Sequence, residues 1–320
     1  MDSLTQITLG ASIAGAVAIK PFGRKVLLTG AILGTLPDLD VLLSYSTAID
    51  NFTYHRGFSH SLFVLSALSI LLYYFILWLK PQLSMHKKTL FLVIFLPLVT
   101  HPLLDAFTSY GTQLWWPIAV QPTSWSSIFI IDPLYTLPLL IAVIALWCHQ
   151  TSKKWQKVNR LMLLISCLYL AIGQAQVMYL KGKVAQDTLA KNSQVFLSPT
   201  PFNTFIWRII SYQDDLYYET FTNVLDQQPL KWKKLTTGRT LLNDFDSKEL
   251  QRLEWFSGGL LSFEEKNKHL IATDLRIGLS SYYPFSFSIA KQENHWIAIP
   301  SKKAPQTEVK LETILESIRL

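Results

Sequence analysis

Asp38 and Asp40 flank Leu39 in the run Leu36-Pro37-Asp38-Leu39-Asp40, inside otherwise apolar sequence. Two carboxylates at that spacing are costly at membrane depth unless they are paired or ligate a cation. His55 and His60 bracket Arg56-Gly57-Phe58-Ser59. Neutral imidazole is a common nitrogen ligand for transition metals, and Gly57 lets the chain turn tightly enough for both rings to converge. Arg56 stays protonated and cannot ligate a cation. It suits an anionic substrate group or a developing negative charge. His101 and Asp105 are four apart, which on a helix places them on one face. There they can share a cation, or Asp105 can orient the imidazole. Gln6 and Asp132 are candidate supporting groups. Gln6 could equally make an interhelical hydrogen bond, and Asp132 before Pro133 reads equally as a helix N-cap.

Mixed histidine and carboxylate ligation suits Zn or Mn better than Mg. The set could hold one divalent ion, or two bridged by a carboxylate. Asp38, Asp40, His60 and His101 are the expected principal ligands, with His55 and Asp105 as ligands or supports. Around one ion, their donor atoms would lie about 3–4 Å apart. Such an ion lowers the pKa of water and supports attack on an ester, amide or phosphoester. Arg56 and Asp105 are the expected catalytic side chains.

These residues must be positioned by elements of unusual composition. Of 320 residues, 50% are hydrophobic and 16% are charged, against about 25% charged in soluble domains. That excludes a disordered chain and argues against a plain soluble enzyme. The net charge of +7 is spread over two unlike regions. Residues 1–180 hold 11 Lys and Arg and 6 Asp with no Glu, whereas residues 181–320 hold 18 basic and 16 acidic residues. A nucleic-acid surface is therefore not expected. Cys148 and Cys167 both lie in apolar stretches and cannot build a disulfide framework.

Crossing the hydrocarbon takes roughly 20 apolar residues. Leu4–Ile19, Val26–Tyr45, Ser61–Leu79, Thr89–Phe107, Ile128–Cys148 and Leu161–Leu180 qualify or nearly qualify. The expected fold is thus a membrane bundle of five to six helices over residues 1–180, followed by a small α+β domain over residues 181–320. Lys20, Arg24, Lys25, Lys80, Lys87, Lys88, Lys153, Lys154, Lys157 and Arg160 all fall in alternate loops. By the positive-inside rule these loops face the cytoplasm. All six acids of this region, with His55, His60 and His101, then face outward, as does everything after Leu180.

The stretches Met1-Asp2-Ser3-Leu4-Thr5-Gln6, Leu36–Asp40, His55–Ser61 and Thr100-His101-Pro102-Leu103-Leu104-Asp105 resemble the YdjM-type family. Its members are described as LexA-binding, inner membrane-associated, metal-dependent hydrolases. The resemblance covers residues 1–135 and implies placement in a bacterial inner membrane, a metal site in these motifs, and a LexA contact. The family often carries His where this chain has Gln6.

Beyond Leu180, Phe205–Tyr212, Leu216–Val224, His269–Ile277, Tyr283–Ala290 and Trp296–Pro300 have strand-like runs. Lys248–Phe256 and Val309–Ile318 read as helices. Together they predict an antiparallel sheet with helices. Asp214-Asp215 and Glu264-Glu265 read as turn charges, and His269 and His295 as structural. The function expected is a membrane-embedded metal hydrolase acting on an amphiphilic or lipid-linked substrate. A non-enzymatic metal-binding or transport protein is the alternative. A phosphohistidine-type lipid phosphatase fits less well, because it needs several cations around the phosphate and the outward side offers Arg56. Topology is directly testable: a reporter fused after Leu320 should be active outside the cytoplasm, and cytoplasmic activity would invert the orientation.

Overall fold

The computed structural model describes residues 1–242, 245–279 and 282–305. The expected helix Val309–Ile318 lies outside them. The chain divides into two compact units: residues 1–43, 56–174 and 201–203 in one, and residues 44–55, 175–200 and 204–320 in the other.

In the first unit, Asp2 caps α1 (Ser3–Phe22), accepting from the Thr5 amide at 3.1 Å. α1 turns through Gly23 into α2 (Lys25–Thr35). The two helices touch backbone to backbone: a β-carbon on Gly10 would lie 2.2 Å from the Gly30 carbonyl oxygen. Small residues permit this approach in apolar surroundings. α1 is consequently buried along most of its length, with Ala11, Ala14 and Ala18 against Leu27, Val93 and Leu146. α2 has 11 residues, about 16 Å at 1.5 Å per residue, which is too short to cross a bilayer. The expected segment Val26–Tyr45 breaks at Thr35 because Pro37 opens a 3-10 turn over Leu36–Leu42. The turn carries Asp38 and Asp40.

The chain continues through α3 (Ala48–Tyr54), described with the second unit below, and a short turn Phe58–His60. α4 (Leu62–Leu79) is capped by Ser61 and buries only Leu65 and Ser69, while Leu71, Tyr74 and Trp78 point outward. A helix apolar on its exposed faces suits lipid. α5 (Lys87–Ala106), α6 (Pro133–Cys148) and α7 (Lys153–Ala185) follow. Three described helical stretches are long and apolar enough to cross a membrane: Leu62–Leu79, Pro81–Ala106 and Lys153–Ala185. α6 is apolar but shorter.

The second unit holds two four-stranded antiparallel sheets. The first runs β1 (Gln194–Pro199), β2 (Ile206–Tyr212), β3 (Leu216–Asn223) and β4 (Lys233–Thr236). The helix α8 (Lys248–Ser257), capped by Ser247, comes next. The second sheet runs β5 (Leu261–Lys266), β6 (His269–Asp274), β7 (Ser286–Gln292) and β8 (Trp296–Lys303). Glu264 and Glu265 thus sit within β5, not in a turn. Both are exposed: Glu264 lies on the face opposite buried Leu261 and Phe263, and Glu265 shares their face where the buried part of the strand ends.

Within this unit α3 inserts Phe52 among the rings of Phe256, Phe285 and Phe287, with centroids 4.5–5.3 Å away. Ile49 is fully buried, and its amide donates to Ser301 Oγ at 3.0 Å. Residues 44–55 are therefore part of the second unit's core although they lie in sequence between Asp40 and Arg56.

The α1–α2 contact makes a sharp prediction. Gly30→Ala should destabilise the protein by about 1–3 kcal/mol or more through overpacking. Gly182→Ala, whose added carbon meets nothing within 4 Å, should be neutral or stabilising. Thermal unfolding of the two variants in detergent is the measurement.

Candidate metal centre

Three stretches of sequence deliver four side chains to one point. Asp38 comes from the turn after α2, His60 from the turn before α4, and His101 and Asp105 from the last turns of α5. One donor atom of each lies within 4.8 Å of every other. His60 Nε2 and His101 Nε2 are 3.1 Å apart. Asp38 Oδ1 lies 3.4 Å from the first and 3.3 Å from the second. Asp105 Oδ2 lies 3.2 Å and 3.7 Å from them. Donors at bond lengths of 2.0–2.1 Å around a tetrahedral cation are separated by roughly 3.3 Å, so the spacing is that of a metal shell.

The far side of each ring explains why the near sides converge. His101 Nδ1 is 2.6 Å from the Gly34 carbonyl oxygen. A carbonyl only accepts, so Nδ1 carries a proton, and in the neutral ring Nε2 keeps its lone pair. Ser59 Oγ donates to Asp40 Oδ2 at 2.7 Å and lies 2.9 Å from His60 Nδ1. With its own proton directed at Asp40, the Ser59 oxygen accepts from His60 Nδ1, and again Nε2 is left as the donor atom. Two lone pairs 3.1 Å apart repel unless a cation or proton lies between them. Asp105 Oδ2 is buried and faces Arg56 Nε and both imidazole Nε2 atoms at 3.1–3.7 Å. Both features fit a bound cation.

Asp40 accepts from the Arg56 amide at 2.9 Å as well as from Ser59. It stands behind His60 and outside the converging group, whereas its spacing from Asp38 suggests a principal ligand. His55 belongs to the second unit, and the converging group does not contain it. Gln6 donates to Asp105 Oδ1 at 3.0 Å and to the His101 carbonyl at 3.2 Å, a supporting position. Asp132 caps α6, accepting from the Leu134 and Tyr135 amides and from the Tyr169 hydroxyl at 2.8 Å.

Arg56 is 3% exposed and has a φ of 60°, a rare backbone for a residue with a side chain. Its Nε lies 3.1 Å from Asp105 Oδ2, its Nη1 donates to Thr108 Oγ1 at 3.1 Å, and its guanidinium sits 4.9 Å from the Tyr110 ring centre. Arg56 thus touches the carboxylate of a candidate ligand. The Met1 amino group contacts the other oxygen of Asp105. Among these partners, Ser59 is signalled in sequence only by adjacency to His60. The Gly34 carbonyl has no side-chain signal, and Thr108 and Tyr110 lie beyond the quoted motifs.

Burial works against a charged His60, but hydrogen bonds with the Asp105 and Asp38 carboxylates more than offset it and hold its pKa above the usual histidine value. A cation must displace that proton. Metal affinity should therefore fall on acidification at a higher pH than for an ordinary histidine site. Ser59→Ala and Asp40→Asn should each weaken binding about 10–100-fold by releasing His60 from its orientation. Metal titrations of the purified protein across pH, and of both variants, test these outcomes.

A profile described as YdjM inner membrane protein matches residues 1–180, and the chain belongs to that family. Over 207 residues it is 24% identical to the uncharacterized protein YfhP of Bacillus subtilis, covering 62% of each chain. Over 105 residues it is 38% identical to the inner membrane protein YbcI of Escherichia coli, covering 32% of this chain and 56% of that one. The chain thus spans about three fifths of the length of these relatives. No solved structure matches.

Proposed function

We propose that this YdjM-family inner membrane protein is a metal-dependent hydrolase acting on an amphiphilic substrate. The observation that carries the reading is the convergence of Asp38, His60, His101 and Asp105 on one point, with each imidazole fixed from behind. A divalent cation held there, Zn or Mn in preference to Mg, would supply Lewis acidity and water of lowered pKa.

The remaining work falls to the chain itself. In their neutral forms His60 and His101 turn the lone pair of Nε2 toward the centre, because Ser59 and Gly34 occupy the opposite nitrogens. Asp105 is held by Arg56, Gln6 and the Met1 amino group. These donors hold the carboxylate in place. The Asp38 side chain is 19% exposed, while those of His60, His101 and Asp105 are fully buried. Substrate and water are therefore expected to approach from the Asp38 side. Arg56 offsets the charge of Asp105 and lies where negative charge would build during attack on an ester, amide or phosphoester. The loop charges support an orientation with the site and the domain beyond Leu180 outside the cytoplasm.

A second reading has one specific observation in its favour. Four protein donors within reach of one ion can close a tetrahedral shell, as structural sites do. A metal-binding protein without turnover would then result.

Metal analysis of detergent-solubilised protein, beside a panel of phosphoesters, esters and amides, separates the readings. Asp38→Ala and His101→Ala should lose both metal and activity. Arg56→Gln should weaken metal binding by no more than about 10–100-fold, as for other partners of a ligand, and at saturating metal should lose about 10²–10³-fold in turnover. Bound metal with no turnover on any substrate class would favour the non-enzymatic reading.

A further inference from the structure

The second unit contains a cavity of about 760 Å³, within the 300–1,000 Å³ usual for small-molecule sites. It lies over the solvent-side face of the sheet β5-β6-β7-β8. Cross-strand neighbours share a face, so the register aligns two rows there. Ser262, Thr273 and Ser286 form one, and Glu264, Ile271, Ser288 and Lys302 form the other. The floor is thus a patch of hydroxyls. Thr273 donates to Ser286 Oγ at 2.8 Å. Ser288 Oγ is shielded from solvent and has no hydrogen-bond partner among the described residues.

Charge and walls narrow the ligand. Lys266, Lys302 and Lys303 line the cavity, and Glu264 is the single carboxylate among its described lining residues. The lining is therefore net positive. Tyr217 and Tyr283 add aromatic faces. Tyr283 is held from behind by buried Arg208, whose Nη2 donates to its hydroxyl at 2.9 Å. Flat aromatic walls suit the C–H faces of a sugar or polyol, hydroxyl rows suit its hydroxyls, and the lysines suit an oxyanion. We propose that this cavity binds a phosphate ester of a sugar or polyol, either free or as the headgroup of a membrane lipid.

The test uses the full chain in detergent or nanodiscs. Glycerol 1-phosphate is the free probe, with glycerol and inorganic phosphate as comparisons. Nanodiscs of phosphatidylglycerol against phosphatidylcholine are the lipid probe. Lys266→Gln and Lys302→Gln alter exposed lysines and should leave folding and metal content unchanged. Each should weaken binding of the preferred probe by about tenfold, the loss expected for one charge-assisted contact. Ser262→Ala, in the hydroxyl row of the floor, should weaken glycerol 1-phosphate more than inorganic phosphate. Saturable binding of the free ester assigns the site to a soluble ligand, and headgroup-selective binding that the lysine variants abolish assigns it to lipid. Absence of binding to either source, binding unaffected by both lysine substitutions, or inorganic phosphate binding as tightly as the ester would overturn the proposal. None of these outcomes depends on metal or hydrolysis.

Discussion

Two imidazole nitrogens 3.1 Å apart, with lone pairs facing each other, set the terms for the first unit. With both rings neutral such a pair is unfavourable in buried surroundings, and a cation or a proton between the nitrogens removes the repulsion. Two carboxylate oxygens beside them make the region a trap for positive charge. The backbone and side chains behind the rings hold this arrangement open by occupying both Nδ1 atoms. A cation would complete the arrangement, and a proton on His60 would be its competitor.

That constraint reaches into the path of the chain. The Gly34 carbonyl is available to His101 because α2 ends one residue later and the 3-10 turn begins at Leu36. Gly34 can lie against α1 because Gly10 and Gly30 let the two helices touch. Gln6 rides on α1 and reaches Asp105, so the same helix contact also sets the height of a supporting donor. Helix packing and ligand orientation are one geometric problem here. The small residues of α1 and α2 contribute to the site without offering a single ligand atom.

Much of this was legible in the sequence, and the parts that were not have physical causes. Asp38, His60, His101 and Asp105 stand out because ionisable groups are expensive in apolar surroundings. The i, i+4 spacing of His101 and Asp105 holds because α5 is continuous through Pro102. Asp40 looked equivalent to Asp38, yet a tight 3-10 turn directs it to Ser59 and the Arg56 amide. Local spacing cannot reveal such a division of labour, since it is set by what lies across the turn. Arg56 was visible as a lone outward cation, but not its contact with Asp105, which depends on a positive-φ backbone. In the second unit, β2, β3 and α8 follow their apolar patterns closely, whereas β5 was masked by Glu264 and Glu265. α3 escaped notice because seven residues are too few to show a helical period.

The position of α3 has a consequence for modularity. Fusion proteins and trimmed variants usually assume that a domain is an uninterrupted stretch that can be excised. Here residues 44–55 share a core with strands more than 200 positions away, through Phe52 against Phe285 and Phe287 and Ile49 against Ser301. A chain cut near residue 180 would keep α3 but strip away its neighbours, baring Phe52 and Ile49 to water. The loop that carries them joins Asp40 directly to Arg56. The shortest faithful version of the helical region is therefore not a prefix of the sequence. It is a prefix with an internal splice, in which the twelve residues 44–55 give way to a short polar linker.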